Sequence, residues 1–437
     1  MDITPSNPSK RVVLHTLGCR LNFSETGSIA QGFMDRGYEI VDLGEPADLV
    51  FLNTCTVTDG ADSTCRNLIR KAQSSAPEAK IVVAGCYAQM EAEKIKQMTG
   101  VDLILGTSEK YRVFDYLDQA SDAESDEEVQ VRIDKSNEFW GAATTLADSH
   151  TRAFLKIQDG CNYICSFCII PFARGRSRTL SIRDVVIQAQ ALTGQGFKEI
   201  VLTGVNVGEY ESTSGEKLSQ LCQELVEIDG LSRLRLSSVE PNTITRELLE
   251  TLKNSGKYMD HFHIPLQSGS DKILKLMRRK YDSAFYKEVL AMVKEYFPKA
   301  SIGADIIAGF PEETEEDFLA TFNLLRESSV THFHVFPFSK RQNTTAAKMP
   351  GQVPAAINKK RVRDLIMLGE AKLDELSHTL VGERVNVLFE SQKDGVWEGY
   401  CPQFVKVKVQ SKEDLSNQIR AVQVMSWKGK SLEGFIL

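Results

Sequence analysis

The chain has 437 residues, 42% hydrophobic and 25% charged, a soluble globular composition too long for one ordinary core and suited to two to four domains. No stretch approaches the roughly 18 uninterrupted apolar residues a membrane span needs, and Met1 to Lys10 carries neither secretory nor transit patterning, so a cytoplasmic protein is expected. A net charge of −7 argues against indiscriminate attraction to nucleic acid, though a local basic surface can still steer an RNA.

From Arg11 to about Thr107, short apolar runs (12–17, 49–52, 81–84, 103–105) alternate with helical stretches at 22–36, 61–75 and 89–98. This βαβα pattern predicts a doubly wound parallel sheet, in which ligands sit outside the carboxyl ends of the strands. Three cysteines fall at those ends, in Leu17-Gly18-Cys19, Asn53-Thr54-Cys55 and Ala84-Gly85-Cys86. One such cysteine is an ordinary buried residue; three in the same topological position suggest thiolates converging on one point, with Gly18 and Gly85 letting the backbone approach a bulky group. Cys65, Cys222 and Cys401 are read as packing residues. Residues 118–135, with the acidic run Asp122 to Glu128, read as a solvated linker, and a domain boundary follows near 140–150.

Next comes Gly160-Cys161-Asn162-Tyr163-Ile164-Cys165-Ser166-Phe167-Cys168, three thiols at C-x3-C-x2-C spacing. An iron–sulfur cubane has four irons, so three ligands leave one iron open for a substrate or cofactor. The alternative, a structural zinc loop, lacks a fourth Cys or His at zinc-ligand spacing. The spacing resembles that of the radical S-adenosylmethionine (SAM) superfamily, which implies SAM chelated at the open iron. Beyond the loop, apolar runs at 153–158, 200–203, 234–237, 262–265, 303–307 and 333–336 alternate with helices, predicting a partial (β/α)6 barrel whose strand ends carry the chemistry. Those ends offer Phe167 to pack on an adenine, then Asn206, Glu240 and Gln267 as polar candidates. Ile307-Ala308-Gly309-Phe310-Pro311-Glu312 matches the superfamily's I-x-G-x-x-E element, which implies that Gly309 and Glu312 lie near the adenine.

Residues 357–380 read as a basic amphipathic helix. Period-two runs at 385–390, 395–399, 405–409 and 420–424 then predict a small all-β barrel. From Val381 onward eight Lys/Arg stand against seven Asp/Glu, a net +1, leaving −8 for the rest of the chain. Lys406 and Lys408 share one strand face and are candidate phosphate contacts.

The full arrangement resembles the methylthiotransferase family of radical SAM enzymes. The expected fold is α/β, with a doubly wound sheet over 1–140, the partial barrel over 141–376 and a TRAM-type β-barrel over 377–437. The resemblance rests on Leu17 to Asn22, Asn53-Thr54-Cys55, Gly85 to Gln89, Asp159 to Pro171 and Arg174-Gly175-Arg176-Ser177-Arg178. It implies two [4Fe-4S] clusters, an auxiliary one on Cys19, Cys55 and Cys86 and a SAM-binding one on Cys161, Cys165 and Cys168. Two SAM molecules would be consumed, one for a methyl group and one for a radical. Among the family's targets, the segment 154–161 and the Arg-x-Arg-x-Arg run look most like the branch acting on N6-threonylcarbamoyladenosine beside a tRNA anticodon. Arg20, Arg176 and Arg178 are candidates for its carboxylate. Isopentenyladenosine, an Asp of a ribosomal protein, and a non-catalytic iron–sulfur RNA-binding role are the alternatives. An electron donor such as a flavodoxin or ferredoxin, a sulfur donor and the anticodon stem-loop are the expected partners, with no membrane.

Overall fold

A computed structural model describes residues 10–121, 130–133, 139–144 and 151–437. The acidic run at 122–128 and most of the expected boundary at 140–150 lie outside the described residues. Two compact units are present. One draws on residues 1–149, 154–163 and 168–178, the other on 150–153, 164–167 and 179–437.

In the first unit six parallel strands lie in the order β2-β1-β3-β4-β5-β6: β1 (Arg11–Thr16), β2 (Glu39–Val41), β3 (Leu49–Thr54), β4 (Lys80–Gly85), β5 (Leu103–Leu105) and β6 (Gln130–Arg132). β3 is buried at every position because helices cover both faces. Leu49 and Phe51 enter a core with Ile29 and Phe33 of α1 (Arg20–Met34) and Val113 of α4 (Val113–Ser121). Val50 and Leu52 face the other way, into a core with Cys65 and Ile69 of α2 (Asp59–Ser75) and Tyr87 and Ile95 of α3 (Cys86–Lys96). The sheet is therefore doubly wound. A short antiparallel pair, β7 (Ala142–Ala143) and β8 (Ala153–Lys156), adds to this unit along residues 142–143 and 155–156. After it come the two-residue strand β9 (Gln158–Asp159) and the single-turn helix α5 (Ile170–Arg174).

After β10 (Arg178–Thr179), whose Arg178 belongs to the first unit, the second unit carries a strand–helix alternation: α6 (Ile182–Gly194), β11 (Glu199–Thr203), α7 (Leu218–Val226), β12 (Arg233–Leu236), α8 (Arg246–Asn254), β13 (His261–His263), α9 (Asp271–Leu276), α10 (Ser283–Tyr296), β14 (Ser301–Ala308), α11 (Glu315–Glu327) and β15 (His332–Pro337). β11 pairs β12 in parallel, bridges at Leu234–Tyr258 and Ser238–His263 carry the curvature on to β13, and β13-β14-β15 continue it. This alternation forms the expected partial barrel. Its helices start on side-chain caps, among them Ser181, Thr245 and Asp282, each accepting from the backbone amide three residues on.

Helix α12 (Ala355–Thr379) packs on β15, where Gly369 leaves space for Phe333. It leads to a closed five-stranded barrel, β16-β17-β18-β20-β19, formed by β16 (Arg384–Lys393), β17 (Val396–Tyr400), β18 (Lys406–Gln410), β19 (Ile419–Trp427) and β20 (Leu432–Ile436). Four of these strands are legible as period-two runs. The fifth, β20, is not, because Gly434 interrupts it where the Gln423 carbonyl comes too close for a side chain.

Candidate active site: two sets of three thiols

Strands β1, β3 and β4 are neighbours, and their registers put Thr16 opposite Asn53 and Thr54 opposite Gly85. The loops carrying Cys19, Cys55 and Cys86 therefore leave the sheet side by side. Cys19 stands at the N-cap position of α1, without a side-chain cap hydrogen bond, and Cys86 is the first residue of α3. Cys19 is exposed, whereas Cys55 and Cys86 are buried. Burial, followed by repulsion from Cys86 and Cys19, pushes the Cys55 thiol up to about 12. Burial also pushes Cys86 up, against the lowering influence of Arg174 and Lys110. The three thiols thus share one electrostatic environment.

The two glycines before Cys19 and Cys86 stand where no side chain would fit. Gly18 has φ +102° and a Cβ there would lie 2.5 Å from Cβ and 2.7 Å from Sγ of Cys55. Gly85 has φ +98° and its Cβ would meet Oδ1 of Asn53 at 2.6 Å and the Thr54 carbonyl at 2.7 Å. Both make room for the neighbouring cysteine loop.

Two asparagines tie the loops together. Asn22 donates from Nδ2 to the carbonyls of Leu17, at 2.7 Å, and Thr54, at 3.1 Å. Asn53 donates to the Asn22 carbonyl at 3.0 Å, and Thr54 donates from Oγ1 to the Ala84 carbonyl. Cys65 is a core residue, as expected, and also donates to the Cys55 carbonyl at 3.3 Å.

The loop from Cys161 to Cys168 begins in the first unit and contributes Cys165 to the second. Its start is fixed by Gly160, at φ +69°, where a Cβ would lie 2.1 Å from the Arg176 carbonyl. Gln158 donates to the Gly160 carbonyl at 2.7 Å and to Ser177 at 2.9 Å, and the Cys161 amide donates to the Gly175 carbonyl. In the second unit Cys165 accepts from Arg279 Nη1 at 3.1 Å, and Arg279 is ion-paired with Glu240. Ser166 donates from its amide to the Met277 carbonyl and from its hydroxyl to that of Leu276. Among the described residues no three His, Cys, Asp or Glu side chains stand close enough to hold a single metal ion. A four-iron core spreads its ligands wider than an ion bound at about 2.3 Å to each sulfur.

Comparison with known proteins places this arrangement. The model of the Radical SAM superfamily matches residues 155–325, and that of the uncharacterized protein family UPF0004 matches residues 11–106. The "Threonylcarbamoyladenosine tRNA methylthiotransferase MtaB" of Bacillus subtilis is 38% identical over 95% of this chain and 93% of its own length. The chain belongs to the radical SAM methylthiotransferase family. The protein of that same name from Aquifex aeolicus is 36% identical over 94% of this chain and all of its own, and the "tRNA-2-methylthio-N(6)-dimethylallyladenosine synthase" of Acetivibrio thermocellus is 32% identical over 98% and 91%. Among solved structures, the radical SAM methyltransferase TsrM from Kitasatospora setae superposes with a TM-score of 0.54 at 15% identity, over 78% of this chain and 77% of its own, a likeness of fold. The family implies a [4Fe-4S] cluster and SAM.

Within this methylthiotransferase the other candidates fall as follows. Phe167 packs edge-on against Phe310, with ring centroids 6.5 Å apart. Asn206 is buried after β11, and Glu240, after β12, is held by Arg279 while burial raises its carboxyl. Gln267, at φ +65°, donates its amide to the Asp305 carbonyl and accepts from Ile307, so its backbone extends the sheet. Gly309 faces Asn358 of α12, where a Cβ would lie 2.4 Å away, and its amide is held by Glu313 rather than Glu312. Arg20 is half-buried and Arg176 exposed. Arg178 is engaged by Asp159 at 3.1 Å and by the Arg174 carbonyl. Lys406 and Lys408 do share a face, and each pairs with Glu398, at 2.9 and 2.8 Å.

Sequence reasoning assigned no role to Arg279, Asn22 and Asn53. Both asparagines lie inside the motifs that carry the family resemblance, which is a signal. Arg279 sits in the plain basic run Arg278-Arg279-Lys280, with nothing to single it out.

Proposed function

We propose that this enzyme places a methylthio group on carbon-2 of N6-threonylcarbamoyladenosine beside a tRNA anticodon. The observation that carries the reading is the pair of three-thiol sets in one chain, Cys161, Cys165 and Cys168 on one loop and Cys19, Cys55 and Cys86 at three adjacent strand ends. Each set would hold a [4Fe-4S] cluster with one iron left to an exogenous ligand, a fit supported by three sulfur donors in each set, with the further cysteine near the second set, Cys65, bonded to the Cys55 carbonyl. Bound there, the loop cluster would supply the electron that cleaves SAM and the auxiliary cluster the sulfur, with one SAM spent on methyl transfer and a second on the radical.

The chain's own residues bind, orient and shield. Arg279 sets a positive charge on Cys165 and fixes Glu240 beside it, at the rim where SAM would dock. Phe167, Asn206, Gln267, Gly309 and Glu312 are the further candidates for that pocket. Shielding a carbon radical from water and placing it beside its sulfur partner turns an improbable encounter into a local step. Identity of 36 to 38% to relatives named for threonylcarbamoyladenosine, against 32% for those named for dimethylallyladenosine, supports the branch. The exposed guanidinium of Arg176 and the half-buried one of Arg20 suit the substrate's carboxylate. Lys406 and Lys408 would follow tRNA phosphates, with Glu398 exchanged for the backbone. The reading implies a cytoplasmic enzyme, consistent with no described helix being long and apolar enough to cross a membrane, served by a flavodoxin or ferredoxin and by a sulfur donor.

Nucleoside profiling of tRNA from a strain lacking the gene tests the substrate. Loss of the 2-methylthio derivative of threonylcarbamoyladenosine is expected; loss of the isopentenyladenosine derivative would move the enzyme to the other branch. An unchanged tRNA profile with a mass shift on a ribosomal protein would move it to protein.

A further inference from the structure

Beneath the three cysteine loops of the first unit lies a buried ionic network that outruns the needs of the fold. Glu25, inside α1 and fully buried, pairs with Lys110, with Lys156 at 2.9 Å and with Arg174 at 2.8 Å. Asp159, equally buried, pairs with Lys156 at 2.8 Å, Arg174 at 3.0 Å and Arg178 at 3.1 Å. Among the described residues two carboxylates thus face three fully buried cations, with Arg178 a fourth at the edge. Tyr111, which accepts from Lys156, stays neutral because burial drives its hydroxyl up. Glu109 faces Arg112 and Tyr116, and Asp62 is bonded to Thr56.

A buried positive excess is costly, by several kcal/mol per uncompensated ion, unless an anion completes it. The anion's place is marked by what the cations touch. Arg174 donates at 2.7 Å to Oδ1 of Asn22, the residue whose amide clasps the Cys19 and Cys55 loops, and Lys110 reaches Oδ1 of Asn53 at 3.3 Å. A four-iron core on three thiolates with a further sulfur ligand carries net negative charge, which would supply the missing balance.

We propose that Arg174 and Lys110 are positioning residues whose buried positive charge balances an anionic, sulfur-bearing cluster on Cys19, Cys55 and Cys86 and raises its reduction potential. This rests on reading those cysteines as cluster ligands. Charge and hydrogen bonding around a cluster are the levers a protein has on its potential. The same Arg174 holds Asp159, two residues before Cys161, so one guanidinium bears on the beginnings of both thiol sets.

The test uses the full chain with Cys161, Cys165 and Cys168 all replaced by Ala, reconstituted anaerobically, so that a redox titration followed by electron paramagnetic resonance reports one cluster. Arg174→Gln and Lys110→Met should each disfavour the reduced state at least tenfold, about 59 mV for one electron, and Arg174→Lys should hold the parent value. In the cluster-free chain Lys110→Met should raise the melting temperature, because it removes the excess buried cation and leaves Glu25 and Asp159 matched by Lys156 and Arg174. Unchanged potentials in both charge-removing variants, or a lower melting temperature for cluster-free Lys110→Met, would overturn the proposal. If the parent takes up no iron and sulfide although cluster-free Lys110→Met is stabilised, the cluster assignment is what fails, and the charge excess awaits another anion.

Discussion

Glu25 is the residue on which the first unit's buried charges depend. It lies in the interior of α1 with no exposure, and its carboxyl is held well below the usual carboxylate range: burial alone would raise it, but Arg174, Lys110 and Lys156 outweigh that. Glu25→Gln would leave those cations facing Asp159 alone, so it should cost about 3–5 kcal/mol, the usual loss on breaking a buried pair. Denaturant melts of the cluster-free chain would measure it. The sign with pH follows from the lowered folded value. Glu25 contributes in full above about pH 4.5, and its contribution is lost only as pH falls through the folded value, well into acid. The variant should lack that part of the acid limb. None of this was visible in Phe23-Ser24-Glu25-Thr26, where one acid in a helix reads as a solvent-facing side chain.

At the scale of elements, the strands of the partial barrel carry a row of histidines. His261 and His263 on β13 face His332 and His334 on β15, with ring centroids 5.5 and 5.2 Å apart, and Gly303 in β14 between them leaves the space their rings occupy. His263 also bridges Ser238, at 2.8 Å, and Asp305, at 3.1 Å. Burial, then His334 and His263, lower His332 to about 4, so the unfolded chain takes up its proton first. Stability should therefore fall as pH drops from about 6.5 to 4, and His332→Gln should flatten that slope. Melts at pH 4.5, 6 and 8 would show it. The strands themselves were legible from apolar runs, with bounds off by one or two residues at either end. The rows across them were not, since facing residues are set by register between segments about forty and thirty residues apart.

For the molecule as a whole, the two thiol sets should separate under mutation. Ala at Cys161, Cys165 or Cys168 should abolish SAM cleavage, read as 5′-deoxyadenosine. Ala at Cys19, Cys55 or Cys86 should spare cleavage and stop sulfur insertion, read on the tRNA nucleoside. Loss of both activities in both sets would mean that the cysteines mainly hold the fold together.

By itself the sequence determined the chemistry that can be read locally: an eight-residue loop with three thiols, alternating strands and helices, and period-two runs ending in a β-barrel. These are patterns of near neighbours, fixed by backbone geometry and by which side chains avoid water. It also put Cys19, Cys55 and Cys86 at like positions on three strands, and the β1-β3-β4 order brought their loops together. Only the tertiary structure decided what surrounds them. Gly18 and Gly85 yield to the next loop, Asn22 and Asn53 clasp the strand ends, Arg279 finds Cys165, and Arg174 and Lys110 bring positive charge beneath Cys86. Those partners lie tens to more than a hundred residues apart along the chain, and an electrostatic contact at such separation leaves no periodic trace in the order of the amino acids.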